Sequence, residues 1–172
     1  MNKRLILAGG LSLMLALMVV GLASAANNGR SDAAKAASAT TKFHELQVAL
    51  DNGYEKLPAV NQQGGCASSG AGAMGVHYLK GSEVDGDLDA QKPEVLVYEP
   101  QANGRSKLVA LEYVVPGNLP KPSLFGQEFT LTNLAPYGAP DANVWTLHAW
   151  IWKPNPSGLL QPWNPRVTCD NA

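Results

Sequence analysis

Between Glu94 and Val115 two apolar runs, EVLVYE and KLVALEYVV, flank the segment PQANGRS. Asn103-Gly104 in that segment is a preferred pair for a tight hairpin turn, because both residues tolerate positive φ and so match the twist of the strands they join. The flanks are rich in β-branched and aromatic residues, which suit a pleated and partly buried surface. Met74–Leu79 and Val144–Trp152 follow the same pattern, so strands are expected at Met74–Leu79, Glu94–Glu99, Lys107–Val115 and Val144–Trp152. A chain with a hairpin at its centre and strands on either side is committed to a mainly antiparallel sheet.

In front of the strands, Phe43, Leu46, Ala49 and Leu50 recur at helical spacing, and Asn52-Gly53 supplies a left-handed stop. His44 beside them reads as a surface residue. Residues 26–40, ANNGRSDAAKAASAT, hold no large apolar side chain and read as a flexible or weakly helical lead-in. The expected fold is therefore α+β: one N-terminal amphipathic helix packed on a mainly antiparallel β-sheet, with a small barrel or a sandwich as the forms such a sheet can take. Residues 41–172 form the single expected domain. The tail KPNPSGLLQPWNPRVTC has too many prolines for regular structure and is expected to wrap the body.

Residues 1–25 have the layout of a signal peptide. Lys3 and Arg4 precede an apolar stretch from Leu5 to Leu22, and Ala23-Ser24-Ala25 has the small-x-small form of a cleavage site. A membrane anchor is the rival reading, because the stretch approaches the ~20 residues that span a bilayer. Gly9, Gly10 and the A-x-A end favour cleavage, with no stable membrane insertion afterwards and a secreted or periplasmic destination. Removing the first 25 of 172 residues leaves 11 basic and 14 acidic side chains, a balance that argues against a nucleic-acid partner.

Cys66 and Cys169 are the only cysteines. In an exported chain an even pair reads as a disulfide, here tying the segment before the first strand to the C-terminus. A thiolate metal ligand or a redox pair is the alternative, without a C-x-x-C motif to support it.

Each expected strand carries one metal-competent or acid/base residue within an apolar stripe: His77, Glu99, Glu112 and His148. Side chains alternate along a strand, so Glu99 shares a face with Val95 and Val97, and His148 with Val144, Thr146, Trp150 and Trp152. An unpaired buried carboxylate is costly, so these groups need partners. Two imidazoles with one or two carboxylates form a mixed ligand set for iron, manganese, zinc or copper. A two-residue Asn-Gly turn would set Glu99 opposite Leu108, with Glu112 about 13 Å further along. A longer loop would pair the two glutamates, and one carboxylate in the site ranks above two. The competing reading is a structural polar network in which Glu112 pairs with Arg105, Lys107 or Arg166.

Tyr98, Tyr113, Trp150 and Trp152 are candidate ligand-lining residues, with Tyr78 on the far side of its strand from His77. Trp145, Trp150, Trp152 and Trp163 crowd together, as a stacking platform for a sugar or planar ligand or simply as core and cover for the tail. Asp85, Asp87 and Asp89 alternate as in a calcium loop, but Gly86 is misplaced for one. No G-x-S-x-G motif is present, and two glutamates about 13 Å apart would be too far apart for glycoside hydrolysis.

The phrases GAMGVHYL, KPEVLVYEP, KLVALEYVVP, PSLFGQEF, LHAWIWKPNPSG and PWNPRVTC together resemble a family of small exported bacterial proteins. The resemblance covers about Phe43 to Cys169 and implies a shared fold, with no activity attached. Three functions follow as expectations: a protein binding a divalent transition metal or small polar ligand, as carrier or enzyme; a sugar- or planar-ligand module built on the tryptophans; and a non-catalytic structural envelope protein.

Overall fold

The computed structural model of the chain describes residues 28–58, 65–135 and 142–172. The signal-peptide expectation falls outside the described residues. Among the described residues no helix is long and apolar enough to cross a membrane.

Residues 28–40 are helical (α1) and run into a 3-10 turn, Thr41–His44, and a short helix α2, Leu46–Asp51. The strands follow: β1 (Glu55–Lys56), β2 (Cys66–Ser69), β3 (Gly72–Leu79), β4 (Val95–Pro100), β5 (Ser106–Pro116), β6 (Ser123–Leu124), β7 (Gln127–Glu128), β8 (Thr130–Asn133) and β9 (Asn143–Ala149). The main sheet is antiparallel with spatial order β1-β3-β4-β5-β9-β8, and β2 also pairs with β3. It stays open rather than closing into a barrel, and β6–β7 is a separate two-stranded ribbon.

The lead-in expected to be flexible or weakly helical is helical over 28–40 and packed into the fold. Ala36 and Thr40 are fully buried, and Thr40 Oγ1 donates to the Ala36 carbonyl at 2.7 Å. Its small side chains permit close approach. A Cβ on Gly29 would lie 2.7 Å from the Phe125 carbonyl oxygen, and the Phe125 N–H donates to Asp32 Oδ2 at 3.3 Å. A helix can thus dock without large apolar residues when it packs by closeness of backbone.

The sheet buries both faces. Tyr78, Leu96, Tyr98, Leu111, Tyr113 and Leu147 form the larger core with Phe43 and Ala49 of the helical segment. Three tyrosines in this region satisfy their hydroxyls on carbonyls: Tyr54 on Pro93, Tyr98 on Phe43 and Tyr113 on Ala90, each at 2.7 Å. The opposite face holds Val95, Val97, Ala110 and Val114, covered by Trp150 and Val167 of the C-terminal segment. The expected disulfide, Cys66–Cys169, ties that segment to β2.

The central hairpin departs from both expected registers. Its loop is longer than two residues: the Gln101 N–H donates to the Arg105 carbonyl and the Gly104 N–H to that of Gln101, and the ladder closes at Pro100↔Ser106. Glu99 therefore faces Lys107. A bulge then inserts Val109, and beyond it Val97↔Ala110 and Val95↔Glu112 follow the register that a two-residue turn would have set.

A candidate metal centre on the second face of the sheet

Paired residues on neighbouring antiparallel strands point to the same face. His77 pairs with Val97, Val97 with Ala110, Val95 with Glu112, and Glu112 with His148. This places His77 of β3, Glu112 of β5 and His148 of β9 on one face, with the valines of β4 as the floor between them. The small Ala110 side chain lies in line with His77 and leaves room for Glu112, two residues along, to reach across β4. Gly75 permits the close fit of β3 on β4, because a Cβ there would lie 2.6 Å from the Tyr98 carbonyl oxygen at φ +120°.

The three side chains converge. Glu112 Oε2 lies 3.5 Å from His77 Nε2, and its Oε1 lies 3.5 Å from His148 Nδ1. The imidazoles meet edge to face with centroids 5.8 Å apart. All three side chains are largely shielded, at 10, 13 and 4% exposure for His77, Glu112 and His148. Trp150 stacks beside His148 at 6.5 Å and 24°.

Burial decides the charge states. Loss of solvation pushes the His77 pKa down to about 4, with the Glu112 carboxylate and the Gly75 backbone opposing that shift and His148 reinforcing it. Loss of solvation likewise pushes His148 down to about 4. The same cause raises the Glu112 carboxyl, with His77 opposing. Near neutral pH both imidazoles are therefore unprotonated, with lone pairs free to ligate.

The protein itself satisfies this cluster poorly. Both imidazole–carboxylate approaches stop at 3.5 Å, the outer limit of a hydrogen bond, and His148 Nε2 is buried with no partner among the described residues. No described lysine or arginine lies within 4 Å of Glu112, so the expected pairing with Arg105, Lys107 or Arg166 is not made. One donor atom from each residue lies within 4.8 Å of the others, so the group could hold a metal ion. Ligand bonds of about 2.1 Å at tetrahedral angles set donors about 3.4 Å apart, so the widest pair must close by more than an ångström around an ion.

The other expected site residues are elsewhere. Glu99 is buried, but its carboxylate accepts from Lys153 Nζ at 2.7 Å on both oxygens and from the Thr168 N–H at 3.3 Å. It anchors the C-terminal segment rather than joining the triad. Tyr98 and Tyr113 belong to the core on the other face, as does Tyr78, so none of them lines the triad. Trp150 does lie beside it, but Trp152 turns to the helical side, where its Nε1–H donates to Thr40 Oγ1 at 3.2 Å and its ring meets His44. The strand ends at Ala149, so alternation no longer sets the direction of Trp152. The indoles consequently do not share one face, and Trp145 packs with the larger core.

Sequence reasoning missed Glu94, which is buried with its Oε2 accepting from the Val114 N–H at 2.9 Å. It stands at the first position of the expected strand Glu94–Glu99, where alternation carries no sign of a partner on a neighbouring strand. No family model, no curated protein and no solved structure matches this chain, so the chemistry of the site rests on its own geometry.

Proposed function

We propose that the protein is an exported metal-binding protein in which His77, Glu112 and His148 hold one divalent transition metal. The observation that carries this reading is the convergence of two buried, neutral imidazoles on a single largely shielded carboxylate that no cation among the described residues compensates. A metal ion would supply the missing positive charge and engage the donors. Two imidazoles and one carboxylate are a set for iron(II), manganese, zinc or copper, and they leave coordination positions for an exogenous ligand.

Export is supported by the Cys66–Cys169 disulfide together with the basic, apolar and A-x-A pattern of residues 1–25. A tryptophan platform for sugars has less support, because Trp150 and Trp152 point to different parts of the fold. A purely structural role would leave the orphaned His148 nitrogen without a purpose.

Cobalt(II) titration of the metal-free protein tests the reading through the ion's visible spectrum. One equivalent should produce ligand-field bands that saturate, and Glu112→Gln should abolish them at the same concentration. A featureless spectrum in the folded parent would contradict the proposal.

A further inference from the structure

The triad is nearly closed to solvent, so an ion must enter and leave past something that moves. The proline-rich segment 150–169 covers the same face. Trp150 stacks on His148 and, with Val167, belongs to the apolar cluster of Val95, Val97 and Ala110 that floors the triad. The segment has no regular structure beyond an isolated bridge, yet it is tied to the body of the fold at several places. The Trp152 and Lys153 N–H groups donate to the Val109 carbonyl of β5 at 3.2 and 3.1 Å. Ala73 and Asn164 exchange backbone hydrogen bonds at 3.0 and 3.2 Å, four residues before His77 on its own strand. Glu99 receives Lys153 and the Thr168 N–H. Finally, Cys169 is bonded to Cys66, which pairs with Val76, the neighbour of His77.

We infer that segment 150–169 is a latched strap that governs metal exchange at the triad, with the Cys66–Cys169 disulfide as its latch. This rests on the metal reading of the triad. The ties are of unequal kind. The hydrogen bonds and the Val167 packing can open locally on short timescales, whereas the covalent bond confines the strap end to the edge of β3. With the latch closed, opening is limited to fluctuations within a tethered loop. Without it, residues 165–172 can leave the face altogether and uncover the floor beside His77.

The test measures release of zinc(II) from the loaded protein to an excess of chromophoric chelator. The parent is compared with a Cys66→Ser, Cys169→Ser variant, which avoids free thiols that would bind zinc, and with Val167→Ala, which keeps the disulfide. The expected result is one zinc per chain in all three, with release at least tenfold faster from the serine variant and a smaller acceleration in Val167→Ala. If the serine variant does not fold, acceleration in Val167→Ala carries the test. Equal release rates from folded, zinc-loaded proteins would overturn the strap while leaving the site intact. Absence of zinc from the parent itself would overturn both.

Discussion

Glu99 is buried and Glu112 largely shielded in their strands, yet the residues facing them give them different work. Glu99 has a lysine ammonium at 2.7 Å, whereas Glu112 has two neutral imidazoles at 3.5 Å. Glu99→Gln should therefore cost roughly 2–4 kcal/mol in denaturant unfolding, below the fully buried range because Lys153 keeps some solvent, and should leave metal content unchanged. Glu112→Gln should do the reverse: metal is lost, and the metal-free protein is no less stable, since a buried carboxylate without a cation has been removed. Glu94 gives a pH signature of its own. Burial raises its carboxyl to about 7, with the Val114 N–H opposing and Asp85 and Glu83 adding to the rise. A folded pKa above the unfolded one means that the fold binds the proton more tightly. Its contribution is full below pH ~4.5 and is lost as pH rises through about 7, on the order of 3 kcal/mol in all. Unfolding measured between pH 4.5 and 8 should show this loss in the parent and a flatter profile in Glu94→Gln. Alternation put His77, Glu112 and His148 among the candidates but gave Glu99 the same standing, because it does not say which groups face each glutamate. Tyr98 and Tyr113 were misread as lining because the same alternation turns them to the opposite face from Val97 and Glu112.

At the scale of elements, the strand runs stand out in the sequence because an apolar pleated segment has few other places to go. Met74–Leu79 is observed as Gly72–Leu79, and Lys107–Val115 as Ser106–Pro116. The register was less legible, since the Val109 bulge depends on tertiary contacts: its carbonyl accepts the N–H groups of Trp152 and Lys153 from the C-terminal segment. Helix α1 was hidden for another reason, as its burial comes from Ala36, Thr40 and close backbone approach rather than an apolar stripe. The disulfide closes a loop with a sequence separation of 103 residues, for which chain entropy gives about 4–5 kcal/mol as an upper figure. The Cys66→Ser, Cys169→Ser variant should lose a large part of this in denaturant unfolding, and its strongest gain in hydrogen exchange should fall in residues 165–172. Uniform exchange across the sheet instead would show that the bond holds the whole domain and not the strap.

For the whole molecule, one sheet serves two cores of different character. The helix-side core is apolar with the hydroxyls of Tyr54, Tyr98 and Tyr113 satisfied, whereas the second face places an under-satisfied polar triad in a valine floor beneath a cross-linked strap. That asymmetry is the basis for reading the second face as functional. The most direct test is elemental analysis of the protein, purified without chelators or a histidine tag, beside a His77→Ala, His148→Ala variant. Close to one transition-metal ion per chain is expected in the parent and none in the folded variant. A parent free of metal, and still free after reconstitution with iron(II), manganese, zinc and copper, would contradict the metal reading of the triad.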